Sequence, residues 1–223
     1  MKDVKSLFSA VESLHQAQVH KKFNSKKNTV CLISIKEKPF VLKWYKNRPK
    51  KYLNNEYVML SQPQTLFLKP SVIEKNDEHN FLLLDYINGS NVCDLINDEQ
   101  KMAQQKTQII GHLAKWFAQF HQAYHKNTNT LIHGDANLRN FLFLKKVYGL
   151  DFEEVKKGNP TEDIADMSAS ILSTSPTFTK EKNILSNIFL QTYQSLVFYE
   201  LEDVEKKIKL AIKKTKERRK KRF

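Results

Sequence analysis

Apolar residues form short strand-like runs in the first part of the chain and follow helical spacing in the second. Runs of apolar, mostly β-branched and aromatic residues predict strands at 29–35, 40–45, 71–75 and 80–86. Residues 51–61 suit a helix, and apolar positions at helical spacing predict a shorter one within residues 1–20. The first 90 residues are therefore predicted to form a β-β-α-β-β unit, a small sheet with one helix.

The second part of the chain is predicted to be mostly helical. Residues 101–125 place a row of large apolar residues on one face of a long helix, namely Ile109, Leu113, Trp116, Phe117, Phe120 and Tyr124. Two short apolar strands are expected at 141–144 and 147–150. Further helices are expected at 162–173, 180–198 and 200–217.

The composition is that of a globular protein. The chain has 223 residues, of which 40% are hydrophobic and 27% charged. No apolar run approaches the roughly 18 residues that span a bilayer, and the N-terminus does not read as a secretory signal. Cys31 and Cys93 lie far apart and form no metal-binding pair. We expect a reduced, cytoplasmic setting in which both thiols are small buried groups.

The positive charge is concentrated at the C-terminus. The net charge is +13, and residues 206–223 hold eleven Lys or Arg and one Glu, which leaves only about +3 for the rest of the chain. Such a block either contacts a polyanion, here a tRNA or an acidic partner, or is a solvated terminus. We expect residues 213–222 to project from the body of the protein.

The segment 131–153 carries the most informative group of polar residues. His133-Gly134-Asp135 is followed by Asn140 five positions after the aspartate, and Asp151 comes eleven positions later. A loop–strand–turn–strand–loop arrangement would bring the three side chains to one side of a hairpin. One carboxylate could accept the proton of an attacking hydroxyl, while amide and carboxylate oxygens suit Mg²⁺. The set therefore indicates phosphoryl transfer.

These residues resemble the motifs of the protein-kinase-like superfamily, in particular the aminoglycoside and choline phosphotransferases. The pattern H-G-D-x-x-x-x-N stands where protein kinases have H-R-D, and Asp-Phe-Glu at 151–153 stands where they have D-F-G. The resemblance implies a two-lobed α+β fold, with a β-rich lobe at 18–86, a helical lobe at 92–212 and a basic tail at 213–223. It also implies ATP and Mg²⁺ as cofactors, with Asp135 as base and both Asn140 and Asp151 as metal ligands and catalytic residues.

The resemblance also assigns nucleotide-binding residues in the first lobe. Lys43, within a predicted strand, would grip the α- and β-phosphates, and Glu56 on the following helix would hold it. Read alone, the two could equally be an edge-strand lysine and a solvated glutamate. The backbone near Asp85, Tyr86 and Ile87 would meet the adenine.

Several further residues receive supporting roles. By the resemblance, His133 props the catalytic loop, and either Asp163 or Asp166 hydrogen-bonds the backbone of that loop from the next helix. His121 and His125, four residues apart on one helix, lack a third metal ligand and are interpreted as interlobe or surface residues.

Three departures from the pattern keep alternatives open. The segment 23–30, which would cover the phosphates, has no glycine. Only about ten residues separate Asp151 from the next helix, which leaves no room for the substrate-docking segment of a Ser/Thr or Tyr protein kinase.

The short chain, the basic end and Ser-Thr-Ser-Pro at 173–176 also resemble the small kinase/ATPase subunit of the tRNA threonylcarbamoyladenosine modification complex. The main prediction is phosphoryl transfer to a hydroxyl of a small molecule; the alternatives are that accessory ATPase and a pseudokinase scaffold.

Overall fold

The computed structural model describes residues 2–125 and 130–220. The chain divides into two compact units. The first comprises Met1–Gln62 and Pro70–Ile87, and the second comprises Pro63–Lys69 and Asn88–Phe223.

The first unit is a five-stranded antiparallel sheet with two helices. Its elements are α1 (Lys2–Ala10), β1 (Gln18–Phe23), β2 (Thr29–Ile35), β3 (Lys38–Trp44), α2 (Lys50–Leu60), β4 (Val72–Asn76) and β5 (Phe81–Asp85). The strand order is β1-β2-β3-β5-β4, and β3 pairs with β2 on one side and β5 on the other. β3 carries Lys43, so this lysine lies on a central strand and not on an edge strand.

The core of this unit forms where α1 covers one face of the sheet. Leu7 and Leu14 from the N-terminal segment pack in one buried cluster with Ile33, Leu42 and Phe81 from the sheet. Burial of this apolar surface stabilises the unit and fixes the sheet beneath α1. The N-terminal segment is therefore part of the first unit, which begins well before residue 18, the predicted start of the lobe.

The second unit is mainly helical, with two small sheets. Its helices are α3 (Val92–Asn97), α4 (Ala103–Ala123), α5 (Pro160–Ser173), α6 (Lys180–Gln194) and α7 (Val204–Lys220). Its strands are β6 (Ser90–Asn91), β7 (Thr130–Ile132), β8 (Phe141–Leu144), β9 (Lys146–Gly149) and β10 (Lys156–Gly158). β6 and β9 pair with β8 on either side, and β7 pairs with β10.

An aromatic cluster forms the centre of the second unit. The Trp116 ring stacks on Phe120 at 5.3 Å and meets Phe141 edge-on at 5.0 Å. Phe67, from the short stretch before β4, packs edge-on against both Trp116 and Phe120. Such aromatic pairs add specific geometry to a large buried area. This packing explains why residues 63–69 belong to the second unit rather than the first.

The basic C-terminus differs from its expected arrangement. α7 runs without interruption to Lys220 and packs against α5, so no element ends at residue 212. The Lys216 ammonium lies 5.4 Å from the centre of the Phe178 ring, a cation–π contact. Residues 213–220 therefore continue α7 instead of projecting as a separate tail, and residues 221 and 222 of the expected projection lie outside the described residues.

Within the described residues, none of the helices combines the length and the apolar character that crossing a bilayer requires. Cys31 and Cys93 are both buried and unbridged, as the sequence predicted.

Candidate active site

A tight turn precedes Asp135 in the segment between β7 and β8, residues 133–140, which is the predicted catalytic loop. The segment leaves β7 at Ile132, and Gly134 has a left-handed backbone with φ of 77°. A Cβ at Gly134 would lie 2.4 Å from the Glu154 carbonyl oxygen, so only glycine fits without displacing the backbone. The glycine of the His-Gly-Asp motif therefore has a steric reason, and Asp135 follows it half-buried.

Two side-chain amides close the loop around Asp135. The Asn140 Nδ2 atom donates to the Asp135 carbonyl oxygen at 2.8 Å and to its carboxylate Oδ2 at 3.1 Å. The Asn137 Nδ2 atom donates to the same carbonyl at 3.1 Å. Because Asn140 uses its nitrogen within the loop, its amide oxygen is the atom suited to a cation.

Asp151 lies at the same end of the β8–β9 hairpin as Asn140. The strands are antiparallel and pair Phe141 with Gly149, so the residues just before β8 and just after β9 are neighbours. The Leu150 N–H donates to the Asn140 carbonyl at 2.9 Å, one residue before Asp151. Asp151 itself has a left-handed φ of 62°, a conformation that aspartate tolerates better than most residues.

His133 and Asp163 hold this loop system in place through hydrogen bonds to backbone groups. The His133 ring, fully buried, has Nε2 at 2.9 Å from the Leu150 carbonyl. The two carboxylate oxygens of Asp163 accept the backbone N–H groups of His133 at 2.6 Å and Gly134 at 3.0 Å. Of the two aspartates considered for this role, Asp163 is the one that makes these bonds.

Asp163 remains ionised despite its burial. Burial alone raises the pKa of its carboxyl, but the hydrogen bond from His121 and the nearby histidine charges outweigh it and hold the pKa below its usual value. His121 is fully buried on α4 and hydrogen-bonded to Asp163. Its interpretation as an interlobe or surface residue is therefore wrong.

The first unit holds a second group of predicted site residues, an ion pair in its interior. Lys43 on β3 and Glu56 on α2 are both buried, and the lysine Nζ lies 2.5 Å from Glu56 Oε2. The Tyr45 hydroxyl donates to the same carboxylate oxygen. The sequence did not single out Tyr45. Neither the edge-strand lysine nor the solvated glutamate describes this pair, because a buried charge needs such partners.

Asp85, Tyr86 and Ile87 lie at the end of β5, where the first unit ends. The Asp85 carboxylate accepts the Ser71 N–H at 2.6 Å, and the Asp85 N–H donates to the Ser71 carbonyl at 3.0 Å. The Asp85 side chain thus holds the start of β4, and Tyr86 and Ile87 follow half-buried. Of the predicted residues, Lys43 pairs with Glu56 in one unit, and Asp135, Asn140 and Asp151 share a loop system in the other.

Comparison with known proteins bears directly on this loop system. Residues 74–180 match the model of a family described as the phosphotransferase enzyme family, or APH. A macrolide 2'-phosphotransferase from Brachybacterium faecium is similar in structure, with a TM-score of 0.63, 11% identity, and coverage of 94% of this chain and 88% of that chain. A protein from Ralstonia eutropha, provisionally named an aminoglycoside phosphotransferase, has a TM-score of 0.62, 13% identity, and coverage of 87% and 80%.

The chain has the two-lobed protein-kinase-like fold. It resembles the aminoglycoside-type phosphotransferases, as its catalytic-loop motif predicted. A curated protein from Methanocaldococcus jannaschii, provisionally named a bifunctional tRNA threonylcarbamoyladenosine biosynthesis protein, is 26% identical over 145 residues. That match covers 62% of this chain, which spans about a quarter of the length of the curated relative.

Proposed function

We propose that this kinase-like chain transfers a phosphoryl group from ATP to a hydroxyl group in a Mg²⁺-dependent reaction. The observation that carries the proposal is the hydrogen-bonded loop that joins Asp135 to Asn140 and joins Asn140 to the strand end preceding Asp151. It supplies one partly exposed carboxylate, one amide oxygen and a second carboxylate within a single fixed segment. Phosphoryl transfer requires these groups.

Each residue of the loop has a role in the proposed reaction. Asp135 accepts the proton of the acceptor hydroxyl as that oxygen attacks the γ-phosphorus. Asn140 and Asp151 hold Mg²⁺, and their oxygen donors fit this hard cation. When bound, the metal neutralises charge on the phosphate oxygens. In the first unit, Lys43 grips the α- and β-phosphates while Glu56 and Tyr45 keep its ammonium in place, and the backbone near Asp85, Tyr86 and Ile87 contacts the adenine.

A small molecule is the acceptor that the chain fits best. Only eight residues, 152–159, lie between Asp151 and α5, too few to form the segment on which protein kinases dock peptides. The names of two structural neighbours refer to antibiotic phosphotransferases. These observations favour a small hydroxyl compound over a protein substrate.

Ligand-induced stabilisation tests nucleotide binding. A ligand that binds only the folded state raises the thermal midpoint by mass action. We expect millimolar Mg-ATP to raise the midpoint of the wild-type protein, and Asp151→Ala to remove the Mg²⁺-dependent part. Asp94→Ala, at an exposed position on α3, is the matched control. An unchanged wild-type midpoint would favour the pseudokinase scaffold instead.

A second prediction concerns the proton acceptor. Asp135→Asn keeps the shape of the side chain but removes its basicity, so ATP should still bind while turnover falls by about 10²–10⁴-fold. The measurement is ATP consumption with a panel of sugars, amino alcohols and nucleosides, beside the thermal shift with Mg-ATP. Near wild-type turnover in this variant would show that Asp135 is not the base.

A role as an accessory ATPase in tRNA modification is the second candidate. The match to the Methanocaldococcus jannaschii protein favours it, as does the basic face of α7. This candidate predicts that tRNA, and not small hydroxyl compounds, stimulates ATP hydrolysis by the wild-type chain. Stimulation by a small hydroxyl compound alone, with a phosphorylated product, would decide for the first candidate.

A further inference from the structure

A buried chain of hydrogen bonds runs from α6 to the catalytic loop. The Tyr199 and Tyr193 hydroxyls are 2.5 Å apart, and the Tyr193 hydroxyl lies 2.7 Å from His121 Nδ1. His121 Nε2 lies 3.1 Å from Asp163 Oδ2. That same carboxylate accepts the backbone N–H groups beside Asp135, so four side chains from distant parts of the sequence form one continuous network.

The ionised state of Asp163 fixes the direction of its bond to His121. A carboxylate only accepts hydrogen bonds, so His121 must donate its Nε2–H to Asp163. The Tyr193 hydroxyl meets the other ring nitrogen, because it donates to Nδ1 of a neutral ring and accepts from Nδ1–H of a charged one. The Tyr199 hydroxyl lies on the other side of the Tyr193 oxygen. Asp163 therefore selects a proton on Nε2, and the Tyr193 hydroxyl holds the ring in that orientation through Nδ1.

Burial makes the loss of this contact costly. His121, Tyr193 and Asp163 are each at most 1% exposed, and burial raises the pKa of the Tyr193 hydroxyl, so it keeps its proton. Buried polar atoms that lose a partner are not compensated by water. Without the tyrosine hydroxyl, Nδ1 of His121 loses its partner in this network, and the bond to Asp163 alone holds the ring. His121 would then be placed less firmly against the carboxylate oxygen that binds the His133 amide.

We propose that Tyr193 is a positioning residue for the catalytic loop, acting through His121 and Asp163 on the backbone of His133 and Gly134. Tyr199, which stacks on His125 at 5.2 Å, orients the Tyr193 hydroxyl from the segment after α6. The catalytic consequence rests on the proposed function of Asp135. The structural consequence, a loop whose backbone depends on a tyrosine hydroxyl from α6, does not.

The test compares Tyr193→Phe with a matched tyrosine on α4's C-terminal cap. Tyr124 also has a buried hydroxyl and packs against Phe120, but that hydroxyl makes no hydrogen bond within the described part of the chain. Both substitutions keep the ring and remove one buried oxygen. Two nuclear magnetic resonance readouts are needed: the ¹⁵N shifts of the His121 ring, which report protonation and hydrogen bonding at each nitrogen, and hydrogen exchange at the His133 and Gly134 amides.

In the wild type we expect a proton on Nε2 of His121, a hydrogen-bonded Nδ1 and slow exchange at both amides. Tyr193→Phe should shift the Nδ1 resonance, leave Nε2 protonated and speed exchange at these amides by about 3–10-fold, the equivalent of one lost hydrogen bond. Tyr124→Phe should change neither readout. In ATP turnover, Tyr193→Phe should lower kcat by a similar factor with little change in KM for ATP, because the nucleotide contacts are untouched.

The outcomes separate the two proposals. An unchanged Nδ1 shift of His121 or unchanged amide exchange in Tyr193→Phe would overturn the positioning role, and so would equal effects of the two substitutions. A changed Nδ1 shift and faster exchange in a protein that never consumes ATP would uphold the positioning role and count against the proposed phosphotransferase activity. Faster exchange with an unchanged kcat would overturn the catalytic part of the positioning role.

Discussion

At Asp166, on α5, ionisation is unfavourable in the folded protein. Burial and then the charge of Asp163 raise the pKa of its carboxyl to about 6, and the more distant charge of Asp135 acts in the same direction. Lys214 and Arg218 on α7 oppose this rise. The folded protein therefore binds the Asp166 proton more tightly than an unfolded chain, whose aspartate pKa is about 3.9. Stability falls as the pH rises from about 4 to about 6 and stays reduced above that range.

Replacing Asp166 with asparagine should remove this penalty. We expect Asp166→Asn to stabilise the protein by about 1–2 kcal/mol at pH 8, since each unit of pKa shift corresponds to about 1.4 kcal/mol and partial exposure reduces the effect. The gain should shrink as the pH is lowered to 5. Thermal midpoints at several pH values test this, with Glu162→Gln on the exposed side of α5 as control. A gain that is the same at pH 5 and pH 8 would contradict the assignment.

At the residue scale, the sequence could predict those site residues that lie close together along the chain. Asp135, Asn140 and Asp151 lie within one motif, and the structure ties their loop together by hydrogen bonds. Tyr45 and Tyr193 could not be found in this way, because their partners lie on other elements and only tertiary packing brings the hydroxyls to them.

At the scale of elements, long periodic segments were predictable and short or exposed ones were not. β2 and β8 coincide with predicted strands, and α4 falls within the predicted helix 101–125. β1 was not predicted as a strand, because most of its residues are exposed and polar and it shows no alternating apolar pattern. Strands such as β7 and β10 have three residues each and form only through their mutual pairing.

Packing of β9 against α4 sets where the strand that precedes Asp151 lies. The Gly149 N–H and the Trp116 indole N–H both donate to the Leu68 carbonyl, at 3.0 and 2.8 Å. A Cβ at Gly149 would lie 2.2 Å from a ring carbon of Trp116. The glycine is therefore required by the close approach of strand and helix.

Two glycine-to-alanine changes should alter the free energy of unfolding in opposite directions. Gly149→Ala should destabilise the protein by about 1–3 kcal/mol, because the tryptophan cannot move without disturbing the aromatic cluster. Gly111→Ala, inside α4 with no atom within 4 Å of the added carbon, should stabilise it by about 0.5–1 kcal/mol through helix propensity. Urea denaturation gives both free energies of unfolding. A loss of stability at Gly111, or none at Gly149, would contradict this account of the packing.

At the scale of the whole molecule, the number of units was predictable, but not their boundaries. The change from strand-like to helical patterning predicted a division near residue 90, and the structure has one after Ile87. α1 and residues 63–69 were misplaced, because contacts of Leu7 and Phe67 with distant residues decide to which unit these segments belong. α7 falls largely within the helix predicted at 200–217, and Ile208 and Ala211 are buried as its helical spacing predicted; the continuation of the helix to Lys220 was not predicted.

The charge distribution leads to the last prediction, which concerns polyanion binding. Most of the net charge lies in residues 206–223, and α7 presents exposed cations such as Lys213 and Lys220 on a packed helix. Removing residues 213–223 would also remove the Lys216–Phe178 contact and the cations that oppose the Asp166 pKa shift. A deletion would therefore change the stability of the protein as well as its binding to a polyanion. Removal of individual charges on an intact helix is the sharper test.

The double variant Lys213→Gln/Lys220→Gln should weaken tRNA binding and leave the thermal midpoint nearly unchanged. Each neutralised phosphate releases roughly one counterion, so the slope of log K against log salt should fall in magnitude by about 1–2 if both lysines contact phosphate. The measurement is a tRNA titration at several salt concentrations. The control is Lys36→Gln/Lys38→Gln, two exposed lysines of the first unit. Equal slopes for the wild type and the α7 variant would reject α7 as a nucleic-acid contact. Solubility would then explain the positive charge of α7 better than RNA binding does. The accessory-ATPase candidate would lose one of the two observations that favour it.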